Sequence, residues 1–502
     1  MVPAGLLYAA AFAPLGWWPA QFVALAMFQY GILGAAASSH PWRGAAIAGF
    51  MFGVTALGSG ATWAYAALHL YSGLGRLEAA LFTLIFVIYL SAFAVIPSVA
   101  AVWVRLRTAS DLPALTSLAG CWLVGEWLRR WFWGGYTLGT IGYAHVDGDL
   151  AGYAPVIGVY GLSLLAFMTA TASMYAMFHP KRTYRLQALL LTLVILLGGR
   201  LLAKLSWTEP FGEPLDFRLI QGNISQAAKF GEEGRNSALK IYKDLISDQP
   251  ADVVLTPETA LPLFLGELPG SYVPSLKGYA DKFGSTIILG LPLLAPDGRA
   301  YNSMLGIAPL SRSDSMMRYD KIHLAPIGEY SPLGLAWLTR SLSIPLKDLS
   351  SGGTLQPLFR AKDQLLGITI CHDDQFGDEL AVQLRGATIL VNASNQGWFE
   401  GSIAFWQRTQ VSRMLALELG RPELRVTNNG TTSLIDVKGR IASRLPEFQR
   451  GVLSGTVRGY RGTTPYAVWR DVPVLLSATL LCLLPLALSL RSPSRRQGVR
   501  CG

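Results

Sequence analysis

The sequence predicts two kinds of structure in one chain, a multi-pass α-helical membrane domain and an α/β domain. Three observations carry this expectation. Hydrophobic residues make up 51% of the 502 positions and charged residues only 15%, too apolar a balance for an ordinary soluble protein of this size. Residues 1–207 are almost continuously apolar, and residues 472–490 form one further apolar run. Between them, residues 208–471 alternate short strand-like runs with amphipathic helical stretches. The expected domains are therefore a membrane domain at 1–207, an α/β domain at 208–471, and a last membrane helix with a basic tail at 472–502.

Turn-formers and charges divide the first 207 residues into about seven candidate spans, near 2–15, 18–37, 45–68, 79–104, 114–128, 154–178 and 186–199. The first is short for a crossing, so it crosses imperfectly or re-enters. It has no basic n-region and runs straight into more apolar sequence, which disfavours a cleavable signal peptide. Glu126, in LVGEWLRRWF, sits at or near a membrane segment, where a carboxylate is costly unless paired. Arg129 or Arg130, three and four residues on, can satisfy it within one helix, and structural pairing is preferred to lipid chemistry. Trp127, Trp131, Phe132, Trp133 and Tyr136 read as an interfacial aromatic belt, with a lipid entry path as the alternative.

In the 208–471 segment, strand-like runs at 217–220, 253–255, 286–289, 365–370 and 387–391 are separated by helical periodicity at 236–246 and 403–419. Gly420 and Pro422 stop the second helix, and Asn428-Asn429-Gly430 marks a turn. The net charge of +10 raises the question of nucleic acid, but no aromatic-interleaved basic stripe or long Lys/Arg run supports it. Cys121, Cys371, Cys482 and Cys501 have no framework spacing, so no structural disulfide is implied. The six histidines form no recognised ligand set, so neither a metal nor a cofactor is expected.

Three strand ends hold the chemistry. LLGITICHDD (365–374) ends on Cys371, DVVLTPE (252–258) on Glu258, and YDKIHL (319–324) carries Lys321. A cysteine at a strand end is more often a small buried hydrophobe than a nucleophile. A carboxylate, an amine and a thiol from three segments are nevertheless the set that acyl transfer through a thiolate needs. Glu258 can take the thiol proton, Cys371 can attack a carbonyl, and Lys321 can stabilise the oxyanion. Successive side chains at a strand end point to opposite sides, which argues against a Cys371–His372 pair.

The order Glu258, Lys321, Cys371, set in TPETALP, YDKIHLAPIGEYSPLG, GITIC, NASNQGWF and RVTNNGTTSLID, resembles the nitrilase (carbon–nitrogen hydrolase) superfamily and, within it, the apolipoprotein N-acyltransferases. The likeness runs over nearly the whole chain. It implies that the α/β domain is a nitrilase-like αββα sandwich, which spacing alone does not show. It implies acyl transfer from a membrane phospholipid, through a thioester on Cys371, to the N-terminal amine of a diacylglyceryl-cysteine apolipoprotein. Glu329, otherwise a loop carboxylate, matches an additional active-site glutamate that would orient Lys321. The chain departs from the family at His372 and Asp373, where an aromatic residue and Glu are usual, at Phe230 in place of Trp, and at Asn395-Gln396. Phe230, His372, Asp373, Trp398 and Phe399 are the candidate substrate-binding residues.

The alternatives are a membrane-anchored amidase or esterase using water, and a non-catalytic or specialised paralogue in assembly or export. The expected partners are a phospholipid donor and an apolipoprotein acceptor, with no nucleic acid and a monomeric chain. Anchors on both sides of the α/β domain must start and finish on one face. Basic flanks at Arg43, Arg105, Arg107, Lys181, Arg182, Arg185 and the tail arginines outnumber Arg76, Arg129, Arg130, Arg200, Lys204 and Arg470 on the other side. The positive-inside rule then puts the catalytic domain in the periplasm of a bacterial inner membrane. The apolar loops 261–265 and 333–338 are expected to cover the site and exclude water.

Overall fold

The structure is a computed structural model and describes residues 1–132, 135–312, 316–334, 336–342, 344–399 and 402–491. Trp133, Leu335, and Arg495, Arg496, Arg500 and Cys501 of the tail lie outside the described residues. The chain starts with α1 (Val2–Ala10), α2 (Trp18–Ala36), α3 (Pro41–Gly60), α4 (Trp63–Ala66), α5 (Arg76–Thr108), α6 (Asp111–Arg129), α7 (Ala154–Phe178) and α8 (Arg182–Leu202). There follow β1 (Thr208–Gln221), α9 (Glu232–Ser247), β2 (Val253–Leu255), α10 (Tyr272–Phe283), β3 (Thr286–Leu294), β4 (Ala300–Ile307) and β5 (Met316–Asp320). Next come α11 (Ala336–Ser341), β6 (Phe359–Ala361), β7 (Gln364–Ile370), α12 (Gly377–Gln383), β8 (Ile389–Ser394) and α13 (Ala404–Leu419). The last elements are β9 (Glu423–Thr427), β10 (Ser433–Ile435), β11 (Ile441–Arg444), β12 (Gly451–Gly462), α14 (Pro465–Trp469) and α15 (Val472–Arg491).

Two compact units emerge. One comprises Met1–Thr62, Ala80–Leu205 and the chain from Asp471; the other comprises Trp63–Ala79 and Ser206–Arg470. In the helical unit, among the described residues, five helices are long and apolar enough to cross a membrane: α2, α5, α7 with the turn before it, α8 and α15. A sixth span results if α3 and the segment Trp63–Tyr71, bent by 54°, are taken together. The first expected span is only the nine-residue α1, about 13 Å long against a hydrocarbon core of about 30 Å. The expected span at 114–128 is α6, which packs along α15 but is less apolar and carries Asp111, Glu126 and Arg129. Gly120 permits that packing, because a Cβ there would lie 2.5 Å from the Cys482 backbone nitrogen.

Arg129 lies near enough to favour the Glu126 charge, as expected, but among the described residues makes no direct ion pair with it. Glu126 Oε1 accepts from Trp122 Nε1 at 3.0 Å and from the Ile141 N–H at 2.9 Å. Arg129 donates to the Tyr136 carbonyl at 2.8 Å, and Arg130 reaches Asp471 at 3.4 Å while lying over the rings of Trp127 and Trp131. The turn after α6 offers Arg129 an acceptor that the helix does not, and Asp471 before α15 offers one to Arg130. Of the aromatic cluster, Trp131 and Phe132 are exposed, whereas Tyr136 is buried.

The second unit is built from two six-stranded sheets, ordered β12-β1-β2-β3-β4-β5 and β11-β10-β9-β8-β7-β6. Each has a parallel centre, β1-β2-β3 in one and β7-β8-β9 in the other, flanked by antiparallel strands. Strand alternation sorts the side chains into layers. Phe217, Leu219, Leu255 and Met304 of the first sheet pack with Ile368, Ile370, Val391 and Val426 of the second. On the outer faces, Ile220, Val254 and Ile287 meet Tyr242 and Leu276 of α9 and α10, while Leu390 meets Leu380 and Leu415 of α12 and α13. The result is an αββα sandwich whose parallel central strands end at one place, where ligands bind in such sheets.

Candidate active site

β2 is apolar and fully buried, and its chain runs out of the sheet into Thr256-Pro257-Glu258. The Thr256 N–H donates to the Ile288 carbonyl at 2.9 Å and the Leu261 N–H to the Gly290 carbonyl at 3.0 Å, so the loop stays stitched to β3. Only glycine fits at 290, where a Cβ would lie 2.1 Å from the Pro257 carbonyl oxygen. Glu258 is thereby held against the end of β5. Lys321 follows that strand directly, and its N–H donates to the Asn302 carbonyl of β4 at 2.8 Å. Glu329 closes a tight loop, with Oε2 accepting from the Ala325 N–H at 2.7 Å and its own N–H donating to the Ala325 carbonyl at 2.8 Å.

The three charged groups meet. Lys321 Nζ lies 2.9 Å from Glu258 Oε1 and 2.9 Å from Glu329 Oε2. Asn302 Nδ2 bridges the same carboxylates from a second side, at 2.7 Å to Glu258 and 2.6 Å to Glu329. Glu258 Oε2 takes a further hydrogen bond from the Asn395 N–H at 2.8 Å. With Lys321 1% exposed and Glu258 6%, this is a buried and nearly saturated network.

Cys371 stands at the end of β7 with φ +52°, a left-handed backbone that a non-glycine residue rarely adopts. Its carbonyl accepts from Asn392 Nδ2 at 2.9 Å, and Ile370 before it donates its N–H to Asp373 Oδ2 at 3.1 Å. These bonds from β8 and from the following turn hold the strained residue in place. Burial pushes the thiol up to about 12, the Glu258 carboxylate adds to this, and Lys321 opposes it. Burial also works against the Glu258 carboxylate, but Lys321, Asn395 and Asn302 together hold it below the ordinary value. Burial likewise opposes the Lys321 ammonium, and Glu258 and Glu329 more than compensate, keeping it charged. At rest the site is therefore an ion-paired carboxylate and ammonium beside a protonated thiol.

The remaining sequence candidates divide. Asp373 is fully buried, and its carboxylate is taken up by protein donors. Its Oδ1 accepts from the His323 N–H at 2.8 Å and its Oδ2 from Tyr319 Oη and the Ile370 N–H, each at 3.1 Å, so it ties β5 to the turn at Cys371. Asp373→Asn puts an amide N–H against one of these donors and is expected to lower stability by about 1–3 kcal/mol, read as a lower melting temperature in detergent. His372 is buried with Nε2 making no hydrogen bond, and burial, then Lys321, hold its pKa well below the usual value, so it is neutral. Phe230 is half-buried at the end of the loop after β1. Trp398 and Phe399 are also half-buried, and their rings are met edge-on by Tyr71 at 5.6 Å and Trp63 at 5.2 Å. Residues 63–68, the end of the expected span 45–68, thus belong to a stretch 63–71 that packs against a loop of its own unit. The loop 261–265 is not a cover: Leu261 and Leu263 are buried in the core with α10, though Leu333 and Trp337 are exposed.

Comparison with known proteins follows this geometry. The family profile described as "Apolipoprotein N-acyltransferase N-terminal domain" matches residues 4–172, and that described as "Carbon-nitrogen hydrolase" matches residues 218–466. An apolipoprotein N-acyltransferase of Ralstonia nicotianae is 37% identical over 96% of this chain and 92% of its own length. The chain belongs to the apolipoprotein N-acyltransferase family. Another member, from Bordetella bronchiseptica, is 36% identical over 99% of this chain and 97% of its own. A solved carbon-nitrogen hydrolase from Helicobacter pylori aligns at 16% identity with a TM-score of 0.36, over 52% of this chain and 94% of that one. Membership in the N-acyltransferase family and the apolar helices make this a membrane protein with a nitrilase-like domain. Within this acyltransferase fold, Asn302 was not singled out by sequence reasoning, although an amide inside the apolar strand AYNSMLGI was a usable signal. Asn395 lay inside a quoted motif, but its role comes from its backbone N–H, which no motif displays.

Proposed function

We propose that the chain moves an acyl group from a membrane phospholipid, through a thioester on Cys371, to the α-amino group of a diacylglyceryl-cysteine apolipoprotein. The observation that carries this reading is the Lys321 ammonium held 2.9 Å from both Glu258 and Glu329, in a site whose strained residue is a cysteine. The thiol keeps its proton until the donor ester arrives. Glu258 then takes that proton as sulfur attacks the carbonyl, and Lys321 balances the oxyanion. The carbonyl–oxygen bond breaks, Glu258 returns the proton to the departing glycerol oxygen, and lysophospholipid leaves. The acceptor amine attacks the thioester, gives its proton to Glu258, and the carbon–sulfur bond breaks to leave an amide. The thiolate recovers the proton from Glu258, and Glu329 keeps Lys321 aimed throughout.

Supplied with phospholipid and no acceptor, the enzyme is expected to release about one equivalent of lysophospholipid and stop. A diacylglyceryl-cysteine peptide should restart it with formation of amide. Steady release of free fatty acid without acceptor, as fast as turnover with it, would instead establish a hydrolase.

Counted with all eight expected spans crossing, the charge bias of the flanking segments supports a catalytic unit on the periplasmic side of a bacterial inner membrane. A cysteine introduced at the exposed Asp297, in the Pro296-Asp297-Gly298 turn, should react with a membrane-impermeant thiol reagent in cells whose outer membrane alone is opened. Labelling only after the inner membrane is broken would reverse the orientation and remove periplasmic apolipoproteins as acceptors.

A further inference from the structure

The loop between β1 and α9 holds a charge that the mechanism leaves unused. Lys229 is 1% exposed, and its Nζ makes no hydrogen bond. A buried ammonium without a partner costs several kcal/mol unless a nearby field compensates it. The loop is fastened to the proposed base. Gln226 Oε1 accepts from Asn395 Nδ2 at 2.8 Å, and the Asn395 N–H donates to Glu258 Oε2 at 2.8 Å. The fit is close, since a Cβ at Gly397 would lie 3.0 Å from Gln226 Cβ, and the Lys229 N–H is itself bound to the Ser225 carbonyl at 3.0 Å.

The charges around this point do not balance without Lys229. Glu258 and Glu329 share one ammonium, that of Lys321, and the attack by Cys371 adds negative charge. His372 is neutral, and the Arg408 guanidinium, which also acts on Cys371, is committed to Asp374 at 2.7 Å. We infer that Lys229 is the second cation of the site, a positioning residue that acts through Glu258 and balances the two carboxylates around Lys321. Burial brings Lys229 down to about 8, and Glu258 is the charged group that opposes this. Glu258 in turn faces Lys321, Glu329, Cys371 and Lys229. Lys229 is therefore charged at neutral pH and favours the ionised base.

The inference rests on Glu258 being the base, and the test separates the two. Lysophospholipid release from phosphatidylethanolamine in mixed micelles, without acceptor, is followed between pH 4.5 and 9 for the parent, Lys229→Met, Lys229→Arg and Glu258→Gln. Lys229→Met should release about tenfold more slowly at pH 7, with the acid limb moved up by roughly one pH unit or more, because loss of a nearby cation raises a carboxylate's pKa. Lys229→Arg should keep the parent's acid limb. An acid limb for Lys229→Met that coincides with the parent's, whatever its rate, overturns the inference, since a packing defect alone does not move it. If Lys229→Met does not fold, Lys229→Gln supplies the same comparison. Full release by Glu258→Gln would sink the base assignment itself; an inactive Glu258→Gln with an unshifted Lys229→Met sinks only the role of Lys229.

Discussion

Cys371→Ala should abolish amide formation, with a fall on the order of 10⁴-fold or more, because removing a nucleophile leaves only binding and oxyanion stabilisation. The protein should still be made, inserted and folded. Cys371 makes its structural bonds through the backbone, with Asn392 on its carbonyl and the Ile370 N–H on Asp373 holding the turn, and neither depends on sulfur. Loss of the thiol also removes a group that burial holds protonated, so no charge is left exposed or unpaired. A melting temperature near the parent's, with no transfer of labelled acyl chain to a diacylglyceryl-cysteine peptide, is the expected pair of readings.

Lys321→Met is expected to damage both activity and stability, and to change how stability depends on pH. Removing an oxyanion-stabilising cation costs about 10²- to 10³-fold in rate. Removing one partner of a buried ion pair costs about 3–5 kcal/mol, because Glu258 and Glu329 are left facing each other across Asn302 alone. In the parent, Glu258 titrates below its ordinary value, so its stabilising contribution is present above the unfolded carboxylate pKa and disappears as pH falls through the folded one. The raised Lys321 contributes fully below its unfolded pKa and loses that contribution only as pH rises through the folded value, far into alkali. In the variant, burial, the largest influence on Glu258, is opposed only by the Asn395 and Asn302 hydrogen bonds and by Lys229, and this carboxylate titrates above the ordinary range. The native state then binds the extra proton, and stability falls as pH rises from about 4 toward 7. Melting temperatures at pH 5 and pH 8 test this: the deficit of Lys321→Met relative to the parent should be larger at pH 8. A deficit larger at pH 5 contradicts the charge assignment.

The sequence shows some of this site clearly because each main group stands at a break between an apolar strand and a polar turn. Val253–Leu255 runs into Glu258, Met316–Asp320 into Lys321, and Gln364–Ile370 into Cys371. Such breaks are visible as changes of composition. Asn302 is hidden because it lies within a strand, and its register against β5, not its neighbours in sequence, brings it between two carboxylates. Asn395 is hidden because the backbone donates, and Lys229 because one lysine in a polar loop resembles any solvated lysine. The end of the expected span 45–68 is harder to read: Trp63, with Tyr71 just beyond it, packs on the loop that holds Phe399 and Trp398, and an aromatic-rich apolar stretch reads alike whether it faces lipid or protein. The loop 261–265 shows the opposite failure: proximity in sequence to Glu258 suggests a cover over the site, while Leu261 and Leu263 pack into the core with α10.

The account stands on a covalent acyl group at Cys371, and intact-protein mass after incubation with phospholipid alone measures it. The predicted result is one added acyl chain per protein, mapped to the Cys371 peptide, absent in Cys371→Ala, and removed when a diacylglyceryl-cysteine peptide is added. Sustained amide formation by an enzyme that never carries the adduct, or an adduct mapped to another residue, would contradict it.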